Sequence, residues 1–337
     1  MRSSSVQEKL SVALCTYNGE RFLAKQLASI KQQTRLPDEV VVCDDGSTDR
    51  TLEIVREFAA SVSFPVKIVE NKQNLGSSKN FEQAIRLCSG DLIALSDQDD
   101  LWHPNRLERS VQELRMHPEA GLVFADGDII DDQDQAIGKR LWQAFQFTEA
   151  RRAEMRAGIY DLLLKYRFVT GATVVFRAIL RDHCLPIPAN WIHDEWLAAI
   201  IAAFSDLRPI DEPLISYREH TSQQVGSPSG EMPRRKLKDY WNTVAKGEKT
   251  NRYWNQLSRD LRFAQIVCST LTRMSLDERG CRVLSSYQEW LRFASFRFSL
   301  PQSCLSRVAP VLGKLSWYSR HASGLTSAAK DILRSRP

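Results

Sequence analysis

Three acidic residues within four positions, Asp97, Asp99 and Asp100, are the strongest candidates for chemistry in this sequence. They directly follow the apolar run 92–95. Carboxylates this close repel one another unless a cation lies among them, and hard divalent cations prefer carboxylate oxygen. We therefore predict a metal site here, where the ion would neutralise a diphosphate leaving group. The alternative is a solvated acidic loop.

A second acidic pair, Asp194 and Glu195, lies between Trp191 and Trp196 at the start of a predicted helix. Partial desolvation would raise the pKa of a carboxylate there. Such a group suits a general base that deprotonates an acceptor hydroxyl. The other interpretation is that both residues only complement the helix dipole. The residues alone favour neither interpretation over the other.

Polar residues also follow the ends of other predicted strands. Ligands of an open α/β sheet bind beyond the carboxyl ends of its strands, so these residues are candidates for nucleotide contacts. They are Cys15, Thr16, Tyr17 and Asn18 after the first strand, Asp44 and Asp45 after the second, and Asn74 and Lys79 after the third. An acidic turn repels phosphate but accepts hydrogen bonds from a base or a ribose hydroxyl. For Lys79, a solvated helix lysine is the competing interpretation.

Two further residues are candidates for the same site. His220 follows a strand-like run, where it could touch the metal or the diphosphate, although a lone histidine is more often structural. Gly171 would allow close approach of the acceptor or the donor sugar; a plain strand-start glycine is the alternative. The sequence has neither G-x-G-x-x-G after the first strand nor G-x-x-x-x-G-K-[ST], which argues against a nicotinamide dehydrogenase and a P-loop enzyme.

Alternating strand and helix patterns over the first 125 residues are the elements that must position these side chains. The alternation predicts βαβ units and a mostly parallel sheet flanked by helices, an α/β fold. The predicted strands are 10–15, 39–43, 66–69, 92–95 and 121–125, and the predicted helices are 21–33, 48–60, 77–88 and one marked by Leu107, Val111 and Leu114. Farther on we predict strands at 172–176 and 210–217 and a helix at 194–204.

The C-terminal part of the chain differs from the rest in charge. Residues 231–337 carry 20 Lys/Arg against 8 Asp/Glu, whereas residues 1–230 carry 26 against 33. With a linker-like segment at 226–234, this predicts a catalytic domain over 1–225 and a basic helical region over 226–337. Its aromatic helices, with Trp290 and Trp317 near basic residues, could lie on an anionic membrane surface. Ordinary helices packed on the catalytic domain are the alternative.

Cysteine usage and hydropathy indicate the compartment. The seven cysteines are scattered without C-x-x-C spacing, which favours reduced thiols in the cytosol and argues against a zinc site. No window approaches the ~20 apolar residues of a membrane-spanning helix, and residues 1–9 lack the apolar segment of a signal peptide. We expect a cytoplasmic protein, with peripheral contact at the inner membrane face as an option.

Taken together, these motifs resemble glycosyltransferase family 2, the inverting group with the GT-A fold, over about residues 10–220. The resemblance depends on the following segments: Thr16-Tyr17-Asn18-Gly19, Asp44-Asp45-Gly46-Ser47-Thr48-Asp49, Asn74-Leu75-Gly76, Asp97-Gln98-Asp99-Asp100 and His193-Asp194-Glu195-Trp196. The S-D-Q-D-D-x-W form, with Tyr217-Arg218-x-His220 downstream, resembles the bacterial rhamnosyltransferase-like subgroup.

The resemblance implies a role for each matching residue. Asp99 would be the main Mn²⁺ or Mg²⁺ ligand, and Asp97 would hold ribose or a metal-bound water. Asp194 would be the base, although His193 stands where the family has glutamate and Glu195 follows, so the two carboxylates remain alternatives. The nucleoside pocket would include Cys15, Thr16, Tyr17, Asp45 and Gly76, and the sugars would contact Trp102, Gly171, His193 and Trp196.

The sequence therefore predicts a metal-dependent inverting glycosyltransferase of cell-surface polysaccharide synthesis. Its partners would be a nucleotide-diphospho-sugar donor, with dTDP-rhamnose as one candidate, and a saccharide or lipid-linked acceptor. A UDP-hexose donor is the alternative within the class. A catalytically silent membrane-surface binding module is the alternative outside it. We expect no nucleic-acid partner.

Overall fold

The computed structural model describes residues 8–158, 160–164, 166–189, 191–220, 248–322 and 324–333. The chain divides into two compact units. Among the described residues, the first unit comprises 8–158 and 167–220, and the second comprises 160–164, 166 and 248–333. The domain boundary predicted between residues 225 and 226, and the linker predicted at 226–234, lie outside the described residues.

Nine strands of the described residues form the sheet of the first unit. They are β1 (Leu10–Thr16), β2 (Glu39–Asp44), β3 (Val66–Glu70), β4 (Leu92–Ser96), β5 (Leu101–Trp102), β6 (Ala120–Ile130), β7 (Ala136–Arg140), β8 (Val175–Arg177) and β9 (Asp206–Arg218). Their order is β3-β2-β1-β4-β8-β6-β9-β5, with β7 on β6. The strands β3, β2, β1 and β4 are mutually parallel, as expected.

The helices of the first unit cover this sheet with apolar faces. They are α1 (Leu23–Lys31), α2 (Thr51–Ser61), α3 (Ser77–Leu87), α4 (Arg106–Met116), α5 (Leu141–Ala144), α6 (Glu149–Arg156), α7 (Arg181–Cys184) and α8 (His193–Ile201). In α3, for example, Phe81, Ala84 and Ile85 are buried at helical spacing. The strands β1, β2 and β4 are almost wholly buried, as expected for parallel strands covered on both faces.

The second half of the sheet departs from the predicted pattern. The expected strand at 172–176 is a short 3₁₀ turn at Gly171–Thr173 followed by β8, because the N–H groups of Thr173 and Val174 bond back to Thr170 and Gly171. That strand runs antiparallel to β4. The strand expected at 210–217 extends over Asp206–Arg218, and its pairing with β6 shifts register around Pro213. Such a bulge accommodates a proline, which cannot donate to the sheet.

The second unit is helical in its described part. Its helices are α9 (Glu248–Leu271), α10 (Glu278–Ser299), α11 (Cys304–Leu312), α12 (Leu315–His321) and α13 (Leu325–Leu333). Phe293, Val311 and Tyr318 are central to its core. Trp290 is buried, so it does not take part in the basic aromatic surface that was one of the two alternatives. Trp317 is partly buried against this core, with Lys314 Nζ 4.4 Å from its ring centroid.

Candidate active site

The Asp97–Asp100 loop leaves the carboxyl end of β4, as predicted. Burial first, and then the charges of Asp99 and Asp194, raise the pKa of Asp97 to about 8. Oδ2 of Asp99 lies 2.8 Å from Nε2 of His220. The backbone N–H of Leu95 in β4 donates to the carbonyl of Val174 at 3.0 Å, and the N–H of Gly171 donates to the Asp194 carboxylate. The structure therefore brings together the two acidic motifs that are almost a hundred residues apart in sequence.

Arg218 holds this loop in place from the last strand. Its backbone N–H donates to Oδ1 of Asp100 at 3.0 Å, and its Nε donates to the carbonyl oxygen of Asp99 at 2.7 Å. The Arg218 guanidinium also binds the 131–134 turn, through the carbonyl of Asp131 and the carboxylate of Asp134. Arg218 is fully buried. It therefore fixes the backbone that presents the Asp99 carboxylate to His220.

A second buried cation lies beneath the acidic loop. Arg106, at the start of α4, donates to the carbonyls of Leu95 and Ala172 and stacks 3.6 Å above the Trp102 ring. Burial lowers the pKa of Arg106 to about 9, while the charges of Asp100 and Asp97 act in the opposite direction. Sequence reasoning did not identify Arg106, because its position at a helix start looks like that of an ordinary surface arginine.

Two backbone N–H groups bind the carboxylate of Asp194 at the start of α8. The backbone N–H of Gly171 donates to its Oδ2 at 2.8 Å, and that of Glu195 donates to its Oδ1 at 2.6 Å. Burial nevertheless raises the pKa of Asp194 to about 6, against the effect of these hydrogen bonds. Glu195 instead forms an ion pair with Arg167 at 2.8 Å. The two carboxylates that the sequence left as alternatives therefore have different surroundings.

Three residues predicted to contact sugars are buried. Trp102 is 4% exposed beneath Arg106, and Trp196 is 2% exposed with its indole N–H donating to the carbonyl of Cys184. His193 stacks on Phe81 with ring centroids 3.9 Å apart. All three are at most 5% exposed, and their contact with a sugar stays a prediction. Gly171 lies beside Asp194, and its close approach to a sugar stays a prediction.

The two aspartates at the end of β2 accept hydrogen bonds from other residues of the protein. Asp44 accepts from the hydroxyls of Thr16 and Ser47 at 2.7 and 2.6 Å. Asp45 accepts from the backbone N–H groups of Leu75 and Gly76 at 2.7 and 2.9 Å, and from Asn71. Both carboxylates are buried. The structure therefore gives them a role in shaping the loops around the predicted nucleotide pocket.

The end of β1 is buried, whereas the two residues that follow it have exposed side chains. Cys15 and Thr16 are buried, whereas the side chains of Tyr17 and Asn18 are exposed. The backbone N–H of Tyr17 donates to Gln98 Oε1 at 2.8 Å, and Gln98 Nε2 donates to the Tyr17 carbonyl at 3.0 Å. This amide pairing joins the end of β1 to the acidic loop. Sequence reasoning passed over Gln98 because it stands between carboxylates.

The predicted nucleotide-binding residues after β3 differ in their exposure and in their hydrogen-bond partners. Asn74 is exposed, and its amide contacts the backbone of Asp45 and Gly76. Gly76 has φ +81°, a conformation that glycine adopts without strain. Lys79 instead donates to Glu82 and to the carbonyl of Ile187 at 2.7 and 2.6 Å, so its ammonium is engaged away from the predicted nucleotide contacts.

The fold and this arrangement define a GT-A transferase, and residues 11–183 match the family described as glycosyl transferase family 2. Since that match covers more than half of the chain, the protein belongs to glycosyl transferase family 2.

Individual relatives agree with this assignment. An uncharacterized glycosyltransferase of Nostoc sp. is 25% identical over 271 residues, covering 76% of this chain and 81% of that protein. EpsE of Bacillus subtilis is 37% identical over 133 residues, covering 40% of this chain and 48% of EpsE, so the aligned part spans about half of that relative. The crystal structure of S. aureus TarS residues 1–349 superposes with a TM-score of 0.54 at 14% identity, covering 96% of this chain and 81% of that one. This likeness establishes the fold.

Proposed function

We propose that this chain is a metal-dependent, inverting glycosyltransferase in which Asp194 is the base. The observation that carries the proposal is that Arg106 connects the two acidic motifs: it donates to the carbonyl of Leu95, just before the Asp97–Asp100 loop, and to that of Ala172, next to the Gly171 N–H that binds Asp194. It indicates that a hydroxyl-activating carboxylate and a cation-binding loop lie within one site. A single displacement needs both groups, because the acceptor hydroxyl loses a proton while the departing nucleoside diphosphate gains negative charge.

The donor set of the loop fits a divalent cation. Asp99 Oδ2 and His220 Nε2 are 2.8 Å apart, close to the ~3 Å that separates neighbouring ligands of an octahedral ion with bonds of about 2.1 Å. No three carboxylate, histidine or cysteine side chains converge as a preformed cluster in the part of the chain that the structure describes. Mg²⁺ and similar ions typically take one or two protein ligands plus substrate phosphates. Bound Mn²⁺ or Mg²⁺ would stabilise the charge of the departing diphosphate.

Asp194 has the properties of the base. Its pKa of about 6 leaves it ionised at neutral pH yet able to accept a proton. In the reaction the Asp194 carboxylate takes the proton of the acceptor hydroxyl, that oxygen bonds to the anomeric carbon, and the bond from this carbon to the diphosphate oxygen breaks. The Glu195 carboxylate is neutralised by Arg167. Glu195 positions Asp194 through the hydrogen bond that its backbone N–H donates to the Asp194 carboxylate.

The donor pocket is proposed around Tyr17, Asn18, Asn74 and Asp97, with Asp44 and Asp45 shaping its walls. The exposed ring of Tyr17 offers a face on which a nucleoside base could stack. A dTDP-rhamnose donor and a UDP-hexose donor are the two candidates. S. aureus TarS, which shares the fold, was crystallised with UDP-GlcNAc, and this supports the second candidate.

The acceptor is proposed to be a saccharide or a lipid-linked saccharide of the cell surface, which would bring the enzyme to the cytoplasmic face of a membrane. None of the described helices has the length and apolarity needed to cross a bilayer. A silent binding module with the same fold is the competing function. It would bind a membrane surface without needing a nucleotide or the base.

Thermal unfolding tests the donor site. We would compare melting temperatures with Mn²⁺ alone, with nucleoside diphosphates or nucleotide sugars alone, and with both together. The variants are Asp99→Asn and a matched control, Asp132→Asn, whose carboxylate is exposed in an ion pair with Arg21. A metal-dependent stabilisation by one nucleotide, lost only in Asp99→Asn, is the expected result. Folded protein that responds to no nucleotide would overturn the transferase proposal.

A further inference from the structure

The outer face of α11 carries an apolar stripe. Leu305, Val308, Ala309 and Leu312 recur at i, i+3, i+4 and i+7, so they lie on one side of the helix. All four are exposed, Leu305 by 86% and Leu312 by 54%. The inner side of the same helix is buried through Arg307 and Val311. Leucines exposed on the side opposite the core indicate a surface that another apolar medium covers.

The neighbouring helix α13 carries a second stripe. Leu325, Ala329 and Leu333 recur every four residues and are exposed, Leu325 by 74%. The two helices pack against each other, and Cys304 Sγ, at the start of α11, contacts the carbonyl of Leu333 at 3.9 Å. The end of α13 therefore lies beside the start of α11. We call the exposed apolar residues of these two neighbouring helices the leucine surface.

The sequence that contains the leucine surface is mainly basic. From residue 300 to the C-terminus the sequence has six Lys/Arg and a single acidic residue, Asp331. Asp331 is fully buried in an ion pair with Arg297, so it presents no negative charge to solvent. Lys314 is exposed, and Arg320 is exposed but paired with Glu289. An apolar surface with a basic surround is complementary to lipid chains below anionic headgroups.

We propose that the leucine surface docks this enzyme on an anionic lipid bilayer, with the leucines in the headgroup–acyl boundary and the lysines and arginines on the phosphates. A second copy of the chain fits less well, because two such surfaces would bring like charges together. The surface lies in the second unit, outside the proposed catalytic residues. Vesicle binding and sugar transfer can therefore fail independently of each other.

Vesicle flotation with the full chain tests this proposal. The vesicles are phosphatidylglycerol–phosphatidylcholine mixtures and pure phosphatidylcholine. The test variant is Leu305→Glu/Leu312→Glu, whose side chains point away from the core. The control is Leu36→Glu/Ile179→Glu, which makes the same charge change at two exposed apolar residues of the first unit. Far-UV circular dichroism and thermal unfolding confirm that both variants are folded.

The wild type and the control are expected to bind the phosphatidylglycerol vesicles and to release them as salt is raised, with weak binding to phosphatidylcholine. The Leu305→Glu/Leu312→Glu variant should bind at least tenfold more weakly while keeping its nucleotide-dependent thermal shift. Equal vesicle binding by the two double variants would overturn the proposal. So would a wild type that binds neither vesicle but forms a dimer that the test variant disrupts, since the occupant would then be a second copy.

Discussion

Gly171 and Asp194 are joined by a hydrogen bond in which the backbone N–H of Gly171 donates to Oδ2 of Asp194 at 2.8 Å. A methyl group on Gly171 would lie 2.5 Å from Nε2 of His193 and 3.4 Å from that same Oδ2. His193 is buried and stacked on Phe81, so it has little room to retreat. Glycine at position 171 is therefore a condition for the present geometry of the proposed base.

The Gly171→Ala variant is expected to lose catalysis more than binding. The added methyl must displace His193 or the Gly171 backbone, and a shift of about 1 Å at a reacting group can lower rates about 100-fold. We expect kcat to fall at least tenfold, donor KM to change little, and stability to fall by about 1–3 kcal/mol. Steady-state kinetics and denaturant unfolding measure these quantities.

The control for this substitution is Gly313→Ala. Gly313 has φ −65°, which alanine adopts freely, and the nearest atom to an added methyl is 3.4 Å away. It should leave kcat unchanged. A Gly171→Ala enzyme with wild-type kcat would show that the contact between Gly171 and Asp194 does not position the base.

The pKa of Asp194 sets the expected pH dependence. A base must be unprotonated, so kcat/KM should rise about tenfold per pH unit below about pH 6 and level off above it. Asp194→Asn keeps the shape but cannot take the proton, and its kcat should fall by about 10²–10⁴. Initial rates between pH 4.5 and 8.5, at saturating metal ion, give the profile.

Glu195→Gln distinguishes the two carboxylates of the pair. Glu195 is bound to Arg167, so its loss should lower kcat less than tenfold and leave the acid limb of the profile in place. If the limb disappears in Glu195→Gln and persists in a still active Asp194→Asn enzyme, the assignment of the base is reversed.

The parallel half of the fold was predictable because it depends on local patterns. The strands β1 to β4 and the helices between them recur at regular intervals, and each predicted bound lies within about three residues of the observed one. The later half was harder, because β8 has only three residues and takes its direction from pairing with β4 and β6. Such pairing is a long-range property that leaves no period in the sequence.

The site shows the same division. The motifs identified where the carboxylates are, since each follows a strand end. The motifs did not show which carboxylates accept hydrogen bonds from the protein itself. Asp45 looks like a ligand-binding residue in the sequence, but in the structure it accepts hydrogen bonds from the loop 71–76. The burial of Trp102 and Trp196 was not predictable for a related reason, because a tryptophan beside an acidic motif has the same sequence signature whether it stacks on a sugar or fills the core.

Asp45→Ala is expected to loosen the loop 71–76. It would leave the backbone N–H groups of Leu75 and Gly76 without their carboxylate acceptor, which costs about 1–3 kcal/mol of stability. Nucleotide affinity should fall together with the melting temperature. Asn74→Ala is the comparison, because its exposed amide should contribute less than about 1 kcal/mol. An Asp45→Ala protein of unchanged stability that no longer binds nucleotide would instead indicate direct contact with the nucleoside.

The second unit contains a buried ion pair that should be costly to break. Arg297 donates to both carboxylate oxygens of Asp331 at 2.7 and 3.0 Å, and the Tyr318 hydroxyl donates to Asp331 at 2.6 Å. Asp331→Asn would leave the Arg297 guanidinium buried opposite a neutral group. Breaking one side of such a pair typically costs about 3–5 kcal/mol, and we expect a loss in that range by denaturant unfolding.

An exposed pair in the same unit is the matched control. Arg320 and Glu289 are 2.8 Å apart but face solvent, and Arg320→Ala should cost less than about 1 kcal/mol. The double variant Arg297→Met/Asp331→Asn should be less destabilised than the sum of its single variants, since it leaves no unpaired buried charge. Strict additivity in this cycle would mean that Arg297 and Asp331 stabilise the helices through separate contacts, and that their ion pair contributes no energy of its own.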